Sequence, residues 1–162
     1  MGKLIKKSKL VPASEMVQVD YTTTTRAAPA LAWKIFADWR QWSKFSDLYG
    51  ELRWTQGTPW AVGSRLRMEL LHPVKFIVNR LITMCRPGEC VTWIDHSRGT
   101  TVEQWVTFKT EPDGLTYVRI LSQGIASRPK VAGQPFRAFL KDNSKLWFDA
   151  FCKECDRVQA AG

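Results

Sequence analysis

Two short helices are predicted by the stretch Ala28-Pro29-Ala30-Leu31-Ala32-Trp33-Lys34-Ile35-Phe36-Ala37-Asp38-Trp39-Arg40-Gln41-Trp42. Pro29 suits the first turn of a helix, where its missing N–H costs no hydrogen bond. Asp38 interrupts the apolar spacing and is placed to cap a second helix that contains Trp39 and Trp42. Five of the eight tryptophans fall between Trp33 and Trp60, so these rings either fill a core or line a cavity.

On both sides of this stretch, apolar and polar residues alternate in the pattern of half-buried strands. One strand precedes it, with Val17, Val19 and Tyr21 on one face. Further strands are predicted at residues 50–55, 66–70, 74–84, 90–96, 100–110 and 115–123. Short turns join these six strands, which is typical of an antiparallel meander.

A long amphipathic helix is predicted over residues 135–158. It would be about 36 Å long, which is enough to cross a sheet. The stripe predicted to face the sheet consists of Phe136, Phe139, Leu140, Asn143, Trp147, Ala150 and Phe151. Charged residues, among them Asp149 and Asp156, form the opposite stripe. An antiparallel sheet needs one face covered, so we expect an α+β fold in which a curved sheet of about seven strands wraps around this helix.

Length and composition predict one domain over residues 14–160, after a basic, flexible tail at residues 1–13. The formal net charge is +9. Four of these charges lie in the tail, on Lys3, Lys6, Lys7 and Lys9. The tail is then either simply solvated or drawn to nucleic acid or an anionic membrane surface. Nucleic acid is disfavoured, because no arginine-rich helix or RNA-binding sheet signature accompanies the charge.

The sequence predicts neither a membrane span nor a signal peptide, because no apolar run approaches about 20 residues and the N-terminal residues include no apolar stretch of signal-peptide length. A cytoplasmic protein is therefore expected. Cys85 and Cys90 flank a predicted turn and are placed to face each other, while Cys152 and Cys155 share a helix face. This spacing fits no zinc pattern well. We expect free thiols in a reducing compartment, with no metal and no cofactor.

Several motifs carry a likeness to a known family: Ala28-Pro29, Trp33, Phe36, Asp38, Trp39, Trp42, Trp54, Gly57, Val62-Gly63-Ser64, Val91, Trp93 and the closing helix. With the order of elements over residues 15–158, they resemble the START-like, or SRPBCC, superfamily, which has the helix-grip fold and includes polyketide cyclase/dehydrase-like proteins. The resemblance implies a deep apolar cavity between sheet and helix. It also implies several duties, from carrying lipids to cyclising polyketides, and the fold does not choose among them.

Strand alternation predicts which residues face such a cavity. The candidates for ligand contact are Trp54, Met68, Phe76, Val78, Arg80, Trp93, Gln104, Val106, Phe139, Asn143 and Trp147. Most are apolar, as the walls of ligand pockets are. An ordinary packed core would show the same pattern.

The polar candidates for catalysis are Arg80, Asp95 and Gln104. Arg80 is in register with inward residues, so it either anchors a ligand in the cavity or is turned outward by a bulge. Asp95 either acts as an acid or base beside the cavity or lies in a solvated turn. Gln104 either orients a ligand or bonds to a neighbouring strand.

Three functions follow from these patterns. The first is binding of a small hydrophobic molecule, by a monomer or a homodimer. The second is a polyketide cyclase/dehydrase-like enzyme, in which a shaped cavity supplies orientation and the three polar residues supply the chemistry. The third is a nucleic-acid or membrane-surface binder that acts through the basic tail.

Overall fold

Seven strands form one antiparallel sheet in the computed structural model, which describes residues 16–126 and 134–162. The strands are β1 Met16–Thr25, β2 Tyr49–Gln56, β3 Arg65–Leu70, β4 Phe76–Arg86, β5 Cys90–Ser97, β6 Thr100–Thr110 and β7 Thr116–Ala126. Their spatial order is β1-β7-β6-β5-β4-β3-β2, so the last six form the predicted meander and β1 pairs with β7. The predicted α+β fold is confirmed. The basic tail lies outside the described residues.

Helix α1, Pro29–Ala37, and a 3₁₀ helix, Trp39–Lys44, follow β1, and helix α2 covers Gln134–Ala161. Asp38 stands at the start of the 3₁₀ helix, but its side chain makes no capping hydrogen bond, so the predicted cap is wrong. Its backbone carbonyl accepts from Gln41 N instead, at 2.9 Å. Strand β7 runs beyond the predicted end at residue 123, through Ala126, because residues 124–126 complete the pairing with β1 and β6.

A cluster of aromatic rings centred on Phe36 ties α1 to the sheet and to α2. Phe36 is 1% exposed. Its ring centroid lies 5.1–6.2 Å from those of Trp33, Trp42, Trp60, Trp93, Phe108, Trp147 and Phe151. Two of these rings also form hydrogen bonds with the last carbonyl groups of α1. The indole N–H of Trp42 donates to Phe36 O and that of Trp60 donates to Ala37 O, both at 2.9 Å.

Helix α2 packs closely on the β1–β7 side of the sheet. The Arg137 guanidinium donates to Gln18 O at 2.6 Å, and the Thr25 hydroxyl donates to Asp156 at 2.6 Å. The Tyr21 hydroxyl donates to Asp149. Asp149 and Asp156, which were assigned to the solvent stripe, therefore bond to the first strand.

The buried face of α2 differs in part from the predicted stripe. Its buried residues form two rows at i, i+4 spacing, namely Phe136, Leu140, Ser144, Phe148 and Cys152, and Trp147, Phe151 and Cys155. Asn143 and Ala150, predicted to face the sheet, are only half-buried. The hydrogen bonds from β1 hold Asp149 and Asp156 toward the sheet, which is consistent with this difference from the predicted stripe.

Gly124 on β7 permits this close approach. A Cβ atom on Gly124 would lie 2.7 Å from Cε1 of Phe136 and 3.2 Å from Cδ1 of Leu140. Any other residue would force the Phe136 ring to shift from its place against the strand.

Replacing Phe36 with alanine is expected to lower the free energy of unfolding by about 3–5 kcal/mol, because it leaves a cavity at the centre of the aromatic cluster. Urea denaturation measures this change. Val62→Ala is the control, since Val62 is 68% exposed, and its effect should stay within about 0.5 kcal/mol. Equal effects of the two substitutions would contradict a central role for Phe36.

Candidate functional site

A cavity of about 70 Å³ lies between α2 and strands β3–β6. Its walls are mostly apolar and aromatic. The lining residues are Phe36, Trp42, Leu48, Tyr49, Met68, Leu70, Phe76, Val78, Arg80, Trp93, Asp95, Ser97, Thr100, Val102, Gln104, Phe139, Leu140, Asn143, Ser144, Trp147 and Phe148. This volume holds a few water molecules and is well below the roughly 300–1,000 Å³ of drug-sized ligand pockets.

Arg80 and Asp95 form an ion pair in the cavity wall. They are direct partners in the β4–β5 register and point to the same inward face. Arg80 Nε donates to Asp95 Oδ1 at 2.8 Å, and a terminal nitrogen of the guanidinium donates to Oδ2 at 2.9 Å. The side chains are 4% and 14% exposed. The side chain of Arg80 therefore points into the cavity and is not turned outward by a bulge, and its positive charge is paired with the carboxylate of Asp95.

Aromatic residues surround the guanidinium. Its central carbon lies 3.9 Å from the centroid of the Trp93 ring, within cation–π distance. Tyr49 lines the same cavity as Arg80. Burial opposes the charge of Arg80, but Asp95 more than offsets this and raises the pKa of Arg80 above its ordinary value. The charge on Arg80 is therefore permanent.

Burial raises the pKa of Tyr49 above its ordinary value, although the Arg80 charge acts in the opposite direction. Tyr49 is thus a neutral phenol at physiological pH. A neutral phenol can both donate and accept a hydrogen bond. It is the one ionisable cavity group that sequence reasoning missed, because it stands at the first position of β2, ahead of the alternating stretch.

A chain of hydrogen bonds fixes Gln104. Trp93 Nε1 donates to Gln104 Oε1 at 2.9 Å, and Gln104 Nε2 donates to the Ser122 hydroxyl at 2.9 Å. These three residues form one cross-strand row over β5, β6 and β7. Gln104 therefore bonds to neighbouring strands, one of its two predicted alternatives, and at the same time lines the cavity.

Trp147 brings an unsatisfied donor to the cavity wall. Its side chain is 3% exposed, and its indole N–H has no acceptor within the described residues. A buried donor without a partner costs about 1–3 kcal/mol. Water or a bound molecule with an oxygen acceptor would relieve this cost.

Most of the predicted ligand-contact residues line the cavity. These are Met68, Phe76, Val78, Arg80, Trp93, Gln104, Phe139, Asn143 and Trp147. Trp54 lies outside the lining and packs on Trp60, with ring centroids 5.3 Å apart. Val106 also lies outside it, in the core around Phe36. The additional lining residues come mainly from the first row of α2 and from β5 and β6, and the others lie in α1, the 3₁₀ helix, β2, β3 and at Leu48; they are Leu140, Ser144, Phe148, Ser97, Thr100, Val102, Phe36, Trp42, Tyr49, Leu70 and Leu48.

Phe76 and Phe139 connect α2 to the far side of the sheet. Both rings are half-buried and their centroids are 5.7 Å apart. Asn143 Nδ2 lies 3.4 Å from His72 O beside them. These contacts form one end of the cavity, where side chains border both the interior and solvent.

The four cysteines are free thiols. Cys85 pairs with Val91 and Cys90 with Arg86, so these two cysteines are offset by one position instead of facing each other as predicted. Burial raises the pKa of Cys152 to about 12 and also raises that of Cys155. Within residues 16–126 and 134–162, no group of three metal-ligating side chains comes together. Nor does any helix there have the length and apolar character to cross a membrane.

Solved structures with the same fold are numerous. The Zhui aromatase/cyclase from Streptomyces sp. R1128 superposes with a TM-score of 0.78 and 16% sequence identity, covering 91% of this chain and 98% of that one. Ara h 8.0201 superposes with a TM-score of 0.73 and 11% sequence identity, covering 86% of this chain and 97% of that one. A START superfamily protein from Mycobacterium smegmatis superposes with a TM-score of 0.74 and 10% sequence identity, covering 87% of this chain and 98% of that one. The predicted helix-grip fold is confirmed.

At the level of sequence there is no comparable likeness, since no family model and no curated protein matches this chain. Identities of 10–16% establish a shared fold and leave the activity to be argued from the site.

Arg80→Met is expected to lower the free energy of unfolding by about 3–5 kcal/mol, because it leaves Asp95 without its partner in the cavity wall. The double variant Arg80→Met/Asp95→Leu should be close to the wild type, since it removes both buried charges. Urea denaturation of both variants tests this. A double variant as unstable as the single one would contradict the ion pair as the reason.

Proposed function

We propose that this protein binds a small hydrophobic molecule in the cavity between the sheet and α2. The observation that carries the proposal is the wall itself, in which aromatic and aliphatic side chains surround a few polar groups. That composition is typical of ligand sites. The helix-grip proteins with which this chain shares its fold typically hold apolar ligands in the same place, which supports the proposal.

Binding of anything larger than a few waters requires the cavity to widen from about 70 Å³. We propose that Phe76 and Phe139 move apart to admit the ligand, because they are the half-buried rings at the end of the cavity. Each ring can change rotamer into solvent without breaking a hydrogen bond.

In the bound state, the proposed contacts follow from the lining. Trp93, Met68, Val78 and Trp147 would cover the apolar body of the ligand. Polar atoms would lie near Gln104, Asn143 and the Arg80–Asp95 pair, which are among the polar groups of the wall. Trp54 and Val106 would act only through packing.

Titration with N-phenyl-1-naphthylamine, an uncharged dye that fluoresces in apolar surroundings, tests the proposal. The wild type should bind it with saturable fluorescence. Val78→Phe should weaken binding about tenfold or more, because it fills part of the cavity with a ring.

Ile77→Phe is the matched control, because Ile77 is the adjacent residue of β4 and points to the opposite face of the sheet. It should bind the dye as the wild type does. A wild type that takes up no dye, or equal effects of the two substitutions, would contradict binding in this cavity.

A second candidate function is a polyketide cyclase/dehydrase-like enzyme. The specific observation in its favour is that the Tyr49 phenol, kept protonated by burial, adjoins the Arg80–Asp95 pair in one cavity. A phenol and a guanidinium both donate hydrogen bonds, and they would stabilise the oxyanion that forms when a carbonyl is attacked. Gln104 would orient the chain.

The intramolecular aldol cyclisation of 2,6-heptanedione and the loss of water from the resulting hydroxyketone, which together give an enone, test this second function. The absorbance of the enone measures the rate. The wild type should accelerate the reaction over buffer, and Tyr49→Phe and Arg80→Met should each remove about tenfold or more of that rate. If the wild type does not accelerate the reaction, the enzymatic function is contradicted, whereas the proposal of ligand binding is not.

A further inference from the structure

We propose that the cavity selects uncharged molecules that carry an oxygen acceptor and rejects carboxylates, and that Asp95 is the residue that sets this preference. The inference rests on the proposed function of ligand binding. It names the chemical class of the ligand from the charges and hydrogen-bond donors of the wall.

The cavity wall has no net charge. Among the described residues that line it, Arg80 and Asp95 are the only charged side chains, and each neutralises the other. The protein as a whole carries a formal charge of +9. An anion that is attracted to the surface therefore finds no net positive charge inside to replace its hydration.

The edge of the guanidinium formed by Nε and one terminal nitrogen is not free to bind a carboxylate. Two of its N–H groups already form the bidentate contact with Asp95, at 2.8 and 2.9 Å, which is the geometry that a ligand carboxylate would need. One of its faces is covered by the Trp93 ring. At this edge a carboxylate would have to displace Asp95, which is itself held on a β-strand next to Arg80. At the other N–H groups it would place a second negative charge close to Asp95, and like charges in one site repel each other.

Donors for an uncharged oxygen are nevertheless present. A guanidinium has five N–H groups, and only two of those on Arg80 bond to Asp95. Tyr49 lines the same cavity as Arg80, and the indole N–H of Trp147, another lining residue, has no acceptor among the described residues. A ketone, amide, ester or phenol oxygen accepts such bonds without bringing a charge that must be desolvated.

Isothermal titration with 2-naphthamide and 2-naphthoate at pH 7 tests the proposal, because the two probes have nearly the same shape and differ in charge. The wild type should bind the amide about tenfold or more tightly than the carboxylate. Asp95→Asn removes the negative charge and leaves Arg80 unneutralised, so it should reverse the preference in favour of naphthoate.

Asp20→Asn is the matched control. Asp20 forms a similar bidentate pair with Arg119, at 2.9 and 2.5 Å, on the solvent-exposed side of the sheet. The control changes the net charge by the same amount outside the cavity, and it should keep the preference for the amide. The same reversal in Asp20→Asn would contradict the proposal by assigning the effect to overall charge.

The double variant Arg80→Met/Asp95→Leu covers the case in which Asp95→Asn does not fold. It has an uncharged wall and should still prefer the amide. Equal affinity of the wild type for the two probes, or tighter binding of naphthoate, would overturn the inference about selectivity. Absence of binding by either probe, together with absence of dye binding, would instead overturn the proposed function.

Discussion

The contact between α2 and the β1–β7 side of the sheet is the constraint on which the rest of the structure depends. Hydrogen bonds from Tyr21 and Thr25 to the helix, and the bare backbone at Gly124, bring α2 close to these two strands. On the other side of the sheet, the helix is reached by ring contacts such as Phe76–Phe139 and by the contact of Asn143 with His72 O. A straight helix held at one edge of a curved sheet leaves space over the middle strands, and that space is the cavity.

The chemistry of the cavity differs from that of the protein surface. The surface carries an excess of positive charge, whereas the wall contains one guanidinium that is neutralised by one carboxylate. The surface field acts on the approach of a molecule, and the wall acts on whether the molecule stays. Overall charge is consequently a poor guide to the ligand of this fold, because the two residues that matter cancel in any count of charges.

The alternation of apolar and polar residues was sufficient to predict the strands of the sheet. Alternation at Leu66, Met68 and Leu70 predicted β3, and the same rule put Arg80 in register with inward residues. It left open whether a bulge turns Arg80 outward and whether Asp95 lies in a solvated turn. It did not predict that the two would pair, because register between strands is a tertiary property. Helix α2 shows the same limit, since its spacing predicted a buried stripe, but Asp149 and Asp156 were placed in solvent until β1 supplied their partners.

The buried cysteines of α2 have a consequence for how opening of the cavity can be observed. Cys152 and Cys155 lie on the helix face that meets the sheet, and their thiols are kept protonated by burial. An alkylating reagent attacks the thiolate, so these two positions become reactive only while the helix is lifted from the strands. The rate at which these thiols are labelled therefore reports how often the helix detaches from the strands. A ligand that holds sheet and helix together would slow the labelling.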